Sequence, residues 1–237
     1  MADRAGEEER LAFLSRSEFF GGLDPEGLER VYRAARAHRL APGEICFHQD
    51  DPADRLYLLV SGRMKLTQVT PDGRQVLLRF VEPGGMFGGI ALFVRERYPA
   101  AAEAVSESEL LSWDGPTMQE LVQAEPKVAL NVIQHLAAMV KSLQDRVRAL
   151  STERVEQRLA RALLRLAAQS HGAAGPGEPR ILRLTRQDLG ELTGTTLYTV
   201  SRVLSRWESQ GLIESGRERI VIRDPGRLAA LVQDPEV

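Results

Sequence analysis

The chain has 237 residues with 31 Lys+Arg against 33 Asp+Glu, a net charge of -2, so overall charge is excluded as the source of any attraction to a polyanion. Its single cysteine, Cys46, excludes an intramolecular disulfide and suits a reducing compartment. No apolar run approaches membrane-spanning length, and the acidic start MADRAGEEERLAFL does not read as a signal peptide, so a cytoplasmic protein of two modest domains joined by something helical is expected.

Residues 8–20 and 24–38 read as short helices. The second starts at Asp24-Pro25-Glu26, with Asp24 as cap and Pro25 at the first helical position, and Leu28, Val31, Tyr32 and Ala35 form its apolar face. From Leu40 to Trp113 the texture changes. Apolar segments such as Leu56–Val60, Met64–Val69 and Val76–Val81 alternate with turn signals at Pro42-Gly43, Ser61-Gly62, Asp72-Gly73 and Pro83-Gly84. Many short strands with close turns argue a double-sheet β-roll or jelly roll. Cys46 lies in one of the apolar strands and reads as a small hydrophobe.

Helix resumes after Asp114 and Pro116, and Pro126 opens the principal helix, which extends to about Leu150. Along it Ala129, Ile133, Leu136, Val140, Leu143, Val147 and Leu150 recur at alternating steps of four and three, with Lys141, Asp145, Arg146 and Arg148 on the flanks. Such a heptad seam predicts a parallel homodimer, the alternative being a helix packed on its own barrel.

Ser151 to about Gln169 is a further amphipathic helix bearing Val155, Leu159, Ala162, Leu163 and Leu166. The stretch HGAAGPGEP from His171 to Pro179 is a Gly/Pro loop, and Ile181, Leu182 and Leu184 form a short strand. Thr185 with Asp188 three residues on is a capping-box-like start, Leu189 and Leu192 give a short helix its apolar side, and Gly194 permits a tight turn. A second helix runs from about Leu197 to Gln210 and stops at Gly211. At about 100° per residue Val200, Val203, Leu204 and Trp207 share one arc, while Tyr198, Ser201, Arg202, Ser205 and Arg206 share the opposite one. Leu212-Ile213, a turn at Ser215-Gly216 and the alternating Arg219–Ile222 read as a β-hairpin wing. Asp224–Leu231 adds one or two helical turns. Helix, turn, helix and wing, with long donors on the exposed arc, is what reading DNA from the major groove requires; the plainer alternative is an αα-hairpin with a solvated face.

LTRQDLGELTG and TVSRVLSRWESQGLI resemble the winged helix-turn-helix of the CRP/FNR superfamily, and GEICFHQDDPADRLYLLVSGRMKL resembles its cyclic-nucleotide-binding-type barrel. The resemblance implies an α+β chain in three parts. These are a cyclic-nucleotide-binding-like β-roll with flanking helices over residues 1–125, a dimerisation helix over 126–150 and a winged helix-turn-helix over 151–237. It also implies a homodimeric transcription regulator with pseudo-palindromic double-stranded DNA and RNA polymerase as partners, and no membrane.

Members that bind cyclic AMP carry Phe-Gly-Glu-Leu and, about ten residues on, an Arg-Ser pair. Here Gly89 stands in place of the Glu within Phe87-Gly88-Gly89-Ile90, and Pro99-Ala100 in place of the Arg-Ser pair after Tyr98, so cyclic AMP is not the expected effector. Arg95 and Arg97 fall in the intervening loop and are expected to face solvent. An iron–sulfur cluster needs four thiolates, and this chain has one. Haem-binding members share the texture of Tyr98–Ala104. Haem would need an axial ligand from His38, Cys46, His48, His135 or Met139, of which His135 and Met139 lie on the long helix. An apolar organic effector, or none, is the remaining option.

By position in the motif Arg202 is expected to hold guanine, with Ser201 beside it. Tyr198 replaces the family's cytosine-reading Glu. Thr185, Thr196 and Thr199 are candidate phosphate donors, and Arg186, Arg206 and Arg217 are further candidates. The rivals, an enzyme or a ligand-binding scaffold, differ in a checkable way: no nucleophile elbow, P-loop or paired zinc-binding His is present, and a scaffold would protect no DNA sequence.

Overall fold

A computed structural model describes residues 10–94, 96–152, 154–169 and 180–233, which fall into two compact units, Met1–Ser142 and Leu143–Val237. The Gly/Pro loop 171–179, Arg95 and the start of the helix predicted at residue 8 lie outside the described residues.

In the first unit the predicted helix 8–20 is helical only over 10–14 among its described residues. Ser15 Oγ donates to Ala12 O at 2.8 Å and Ser17 Oγ to Leu14 O at 2.7 Å, so short hydroxyls take carbonyls that a longer helix would need. Helix α1 (Pro25–Arg33) opens as expected, Asp24 Oδ1 accepting from Gly27 N at 2.7 Å. It ends five residues before the predicted 38, because Arg36–Leu40 leave it to form β1. The partner of β1 is β8 (Ser108–Asp114), paired antiparallel from Arg36↔Ser112 to Leu40↔Ser108. A ladder to a strand so distant in sequence overrides local helix propensity.

Strands β2 (Ile45–Phe47), β3 (Arg55–Ser61), β4 (Met64–Val69), β5 (Gln75–Val81), β6 (Met86–Phe87) and β7 (Ala101–Ala104) complete two antiparallel four-stranded sheets, ordered β1-β8-β3-β6 and β2-β7-β4-β5. The β3 run Leu-Tyr-Leu-Leu is apolar throughout because both its faces are covered. Tyr57 and Leu59 point between the sheets with Phe47, Met64, Val81, Phe87 and Tyr98. Leu56 and Leu58 point outward to Phe20, Trp113, Met118 and Leu121. Trp113 is 1% exposed and its Nε1 donates to Val31 O at 2.9 Å, which fixes α1 on this outer layer. Helix α2 (Gly89–Val94) follows β6, and α3 (Gly115–Ala124) is capped by Asp114, whose Oδ1 accepts from Thr117 N at 3.0 Å.

The principal helix α4 runs from Pro126 to Thr152. Its near side belongs to the first unit. Val128 is fully buried, Val132 packs on the same cluster, and Asn131 Nδ2 donates to Phe19 O at 2.8 Å and Gly21 O at 3.0 Å. Of the heptad residues, Ala129 is half-buried, while Ile133, Leu136, Val140, Leu143 and Val147 are exposed.

The second unit consists of α5 (Val155–Gln169), β9 (Arg180–Leu182), α6 (Arg186–Thr193), α7 (Leu197–Ser209), β10 (Ile213–Gly216), β11 (Arg219–Ile222) and α8 (Pro225–Gln233), with a three-stranded sheet ordered β10-β11-β9. Leu159, Leu163, Leu189, Val200, Leu204, Trp207 and Leu228 are buried at 0–1% exposure and make its core. The hairpin turn is displaced from the predicted Ser215-Gly216. Ser215 pairs with Ile220 and Gly216 with Arg219, leaving Arg217-Glu218 as the turn, with Glu218 at φ 56. This register sets Ile213 opposite Ile222, so both apolar side chains share the buried face. The tail, expected as one or two turns, is a nine-residue helix.

Candidate nucleic-acid interface

Helices α6 and α7 meet across a turn that two glycines make possible. Gly194 closes α6 in the left-handed conformation at φ 66, ψ 41, where a β-carbon costs about 1–2 kcal/mol. Gly190, inside α6, was not singled out in the sequence. A Cβ there would stand 3.0 Å from Thr195 O and 3.6 Å from Val200 Cγ2, so its missing side chain lets the start of α7 close on α6. The only sequence signal was a glycine inside a helical pattern, which marks close packing as readily as weakness.

The start of each helix is held by a threonine. At α6, Thr185 Oγ1 accepts from Asp188 N at 3.0 Å and Asp188 Oδ2 accepts from Thr185 N at 2.8 Å, a complete capping box. At α7, Thr196 Oγ1 accepts from Thr199 N at 3.2 Å and lies 3.0 Å from Thr199 Oγ1. These hydroxyls sit beside backbone N–H groups at positive helix ends, where a phosphate oxygen is favoured.

The two arcs of α7 separate as the sequence predicts. Val200, Val203, Leu204 and Trp207 are buried, Ser201 and Thr199 are half-buried, and Tyr198, Arg202, Ser205 and Arg206 are exposed. The two arginines are not equivalent. Arg206 is ion-paired with Glu156 of α5, whereas Arg202 has no side-chain partner among the described residues. An outward guanidinium without a partner among the described residues, on a helix anchored five residues on by the buried Trp207, has the donor geometry for a guanine edge.

Arg186, another sequence candidate, is also committed: its Nη2 donates to Ser215 Oγ at 2.8 Å. Ser215 belongs to a junction that periodicity could not reveal. Glu208 Oε1 on α7 accepts from Ser215 N at 2.6 Å and from Ser215 Oγ at 2.7 Å, so helix α6, helix α7 and strand β10 are tied at one residue. Arg217 stands exposed in the wing turn without a partner among the described residues.

The residues assigned to an effector pocket fall into two separate surroundings. Phe87 and Tyr98 belong to the cluster between the sheets, where the Tyr98 ring stacks on Phe47 with centroids 3.7 Å apart. Tyr98 Oη donates to Arg55 O at 2.8 Å and accepts from Arg55 N at 3.0 Å, and burial pushes its phenol up to about 12. Ala100 is buried beside it and Pro99 is exposed. Gly88 has φ +81, and a Cβ on Gly89 would come within 2.7 Å of Leu56 Cδ1, so no larger side chain fits there unless Leu56 moves. The side chain of Ile90 lies outside the described residues.

His135 is elsewhere, with Met139 half-buried one turn on along α4. Its Nδ1 lies 3.0 Å from Glu18 Oε2, and its ring meets Phe19 edge-on at 5.3 Å. Burial would raise the Glu18 carboxyl, but the His135 bond and charge, Met86 N–H and Arg79 together hold it below the usual carboxylate range. Phe19 Cε2 also stands 3.8 Å from where a Gly89 Cβ would be, so Phe19 lies beside both Gly89 and His135. Nothing in the local sequence pairs residue 19 with residues 89 and 135.

The haem-ligand candidates are scattered: His135 Nδ1 lies 3.0 Å from Glu18 Oε2, Met139 is half-buried one turn on, His38 Nε2 lies 2.7 Å from Ser112 Oγ, His48 is exposed, and burial pushes the half-buried Cys46 thiol up to about 12, far from a thiolate. Arg97 is exposed as expected, its Nη1 donating to Asp50 O at 2.6 Å.

Along α4 the heptad residues Ile133, Leu136, Val140, Leu143 and Val147 are all exposed, Ile133 at 61%, Val140 at 53% and Val147 at 64%. The side chain of Leu150 lies outside the described residues. An apolar row of that length open to water is the signature of an interface rather than of a solvated helix face.

Comparison with known proteins gives matches over both units. The family described as the cyclic nucleotide-binding domain matches residues 37–125, and the Crp-like helix-turn-helix domain matches residues 157–231. A CRP-like cAMP-activated global transcriptional regulator of Mycobacterium tuberculosis is 27% identical over 217 residues, 91% of this chain and 96% of that protein. The cyclic AMP receptor protein of Thermus thermophilus is 29% identical over 218 residues, covering 92% and 96%. Among solved structures, FixK2 from Bradyrhizobium japonicum superposes with a TM-score of 0.72 at 28% identity, covering 83% of this chain and 96% of that one.

Proposed function

The chain belongs to the CRP/FNR superfamily of transcription regulators, and from that premise we propose that it works as a homodimer reading a pseudo-palindromic site in double-stranded DNA, with α7 in the major groove. The observation that carries the reading is Arg202, exposed and without a side-chain partner among the described residues, at the centre of the outward strip of a helix whose opposite arc is buried. Its guanidinium donates two parallel bonds to guanine O6 and N7, while the threonine-capped ends of α6 and α7 and the wing-tip Arg217 hold phosphates. Two such helices, related by a two-fold axis along the heptad row of α4, meet successive major grooves about 34 Å apart. Arg206, balanced by Glu156, contributes less than its position suggests.

Arg202→Ala tests this directly. With a site selected from random duplexes, the substitution is expected to cost about 1–3 kcal/mol at one base step and to relax preference there, read by fluorescence anisotropy at fixed salt. An unchanged base preference would sink the assignment.

The barrel is the regulatory input, acting on transcription by RNA polymerase through the long helix that the barrel unit grips at Val128, Asn131 and His135. Cyclic AMP activates relatives of this chain by name, but here Gly89 replaces the Glu that would take the ribose hydroxyl, Pro99 and Ala100 replace the Arg-Ser pair that would hold the phosphate, and Leu56 crowds position 89. Adding cyclic AMP is therefore expected to leave both the melting temperature and the DNA affinity unchanged. A rise in melting temperature on titration would reveal a site built from other residues. With no described helix long and apolar enough to cross a membrane, the cytoplasm is the place where such a regulator meets its DNA.

A further inference from the structure

Resting on the base-reading role of Arg202, we infer that Tyr198 reads the C5-methyl group of a thymine at the step beside the guanine, so that a methyl group defines this protein's half-site. Tyr198 is 76% exposed and sits one turn before Arg202, at the i, i+4 spacing that places two side chains on the same strip of a helix with Cβ atoms about 5–6 Å apart. Base pairs stack about 3.4 Å apart, so a helix lying in the groove brings two such residues to neighbouring steps. Ser205 follows on the same strip three residues after Arg202.

The chemistry of the strip decides what Tyr198 can recognise. Cytosine shows the major groove an amino donor and needs a carboxylate or another strong acceptor. The one acid of α7, Glu208, is held by Ser215 at the far end of the helix, and its first turn has none. Thr196 and Thr199 are engaged with each other at the cap. What remains at the first outward position is a flat apolar ring with a phenol at its tip. Thymine offers the matching surface, the only methyl group in the groove, and covering it against a ring removes both from water.

The full-length protein, its half-site first selected from random duplexes, allows a test at single-atom resolution. Deoxyuridine in place of each thymine in turn keeps Watson–Crick pairing and deletes only the methyl group. At one thymine next to the Arg202 guanine, wild type is expected to bind about fourfold more weakly, the factor that roughly one buried methyl supplies. Tyr198→Ala should show no difference between the two bases, and Tyr198→Phe should keep it. At that position 5-methylcytosine should bind better than cytosine by a similar factor. If uridine is tolerated at every position while Arg202→Ala still relaxes guanine preference, methyl reading is overturned and base reading stands. Loss in Tyr198→Phe with uridine tolerated would assign the phenol to a phosphate and overturn it as well. If no sequence is selected at all, both readings fall together.

Discussion

Val140→Glu is expected to leave each protomer folded and to abolish the dimer. Val140 lies mid-way along the open row of α4 and is 53% exposed, so the substitution disturbs no packing within the chain. In a parallel pair the two copies of residue 140 face each other across the seam. The change removes apolar burial on both sides and sets two carboxylates within several ångströms of one another, where repulsion is of the order of 3–4 kcal/mol at an effective dielectric of about 20. Together these are expected to raise the dimer dissociation constant by more than about a hundredfold. Sedimentation velocity at micromolar concentration should report a monomer with unchanged circular dichroism. Binding to a two-half-site duplex should drop by about two orders of magnitude, because two linked contacts become one. Lys141→Glu, on the exposed flank one residue away, is the matched control and should alter neither. A Val140→Glu protein that remains dimeric would show that the open row is not the interface.

Trp207→Ala is expected to have the largest effect on stability, about 3–5 kcal/mol. Trp207 is 1% exposed, Arg202 projects from the same helix, and Leu212 N donates to Trp207 O at 2.9 Å as the chain leaves α7 for the wing. A cavity of that size in a unit whose whole stability is of the order of 5–15 kcal/mol should lower its melting temperature by about 12 °C or more. The chain has two tryptophans, so in the variant Trp113 alone reports on the barrel unit. Its buried-type emission should persist through the temperature at which helical signal from the other unit is lost. DNA binding should fail at that temperature although Arg202 is intact, which separates holding the reading helix in place from reading the base. A melting curve matching wild type would mean that Trp207 does not anchor α7.

Much of this architecture was legible in the residues because it depends on contacts a few positions apart. The split of α7 into a buried arc ending in Trp207 and an outward strip through Arg202 follows from a 3.6-residue period, and the helix starts at Asp24, Asp114 and Thr185 follow from short polar side chains placed before N–H groups that lack partners. The structure departs from the local pattern where a distant segment intervenes. Arg36–Leu40 carries no strong strand signal, and β8, some seventy residues away, turned it from predicted helix into an edge strand. The wing turn moved by two residues because pairing Ile213 with Ile222 mattered more than placing glycine in the turn.

Site residues divide along the same line. Arg202 is found by its motif position, but that its charge is available is not, nor is the pairing of the lesser candidate Arg206 with Glu156 of another helix. Arg186 is drawn to Ser215 in the same way. The sequence groups barrel residues with His135, and what stands beside both, Phe19 from the N-terminal segment, is visible only in the fold.

The amino-acid order by itself determined the sequence of elements, the helix starts, the heptad row and the face that α7 turns outward, since each is a matter of period or of hydrogen-bonding neighbours within one or two turns. Tertiary structure alone decided which arginine is available and what lies beneath Gly89, because ion pairing and space filling depend on side chains that meet only after the chain has brought distant segments together.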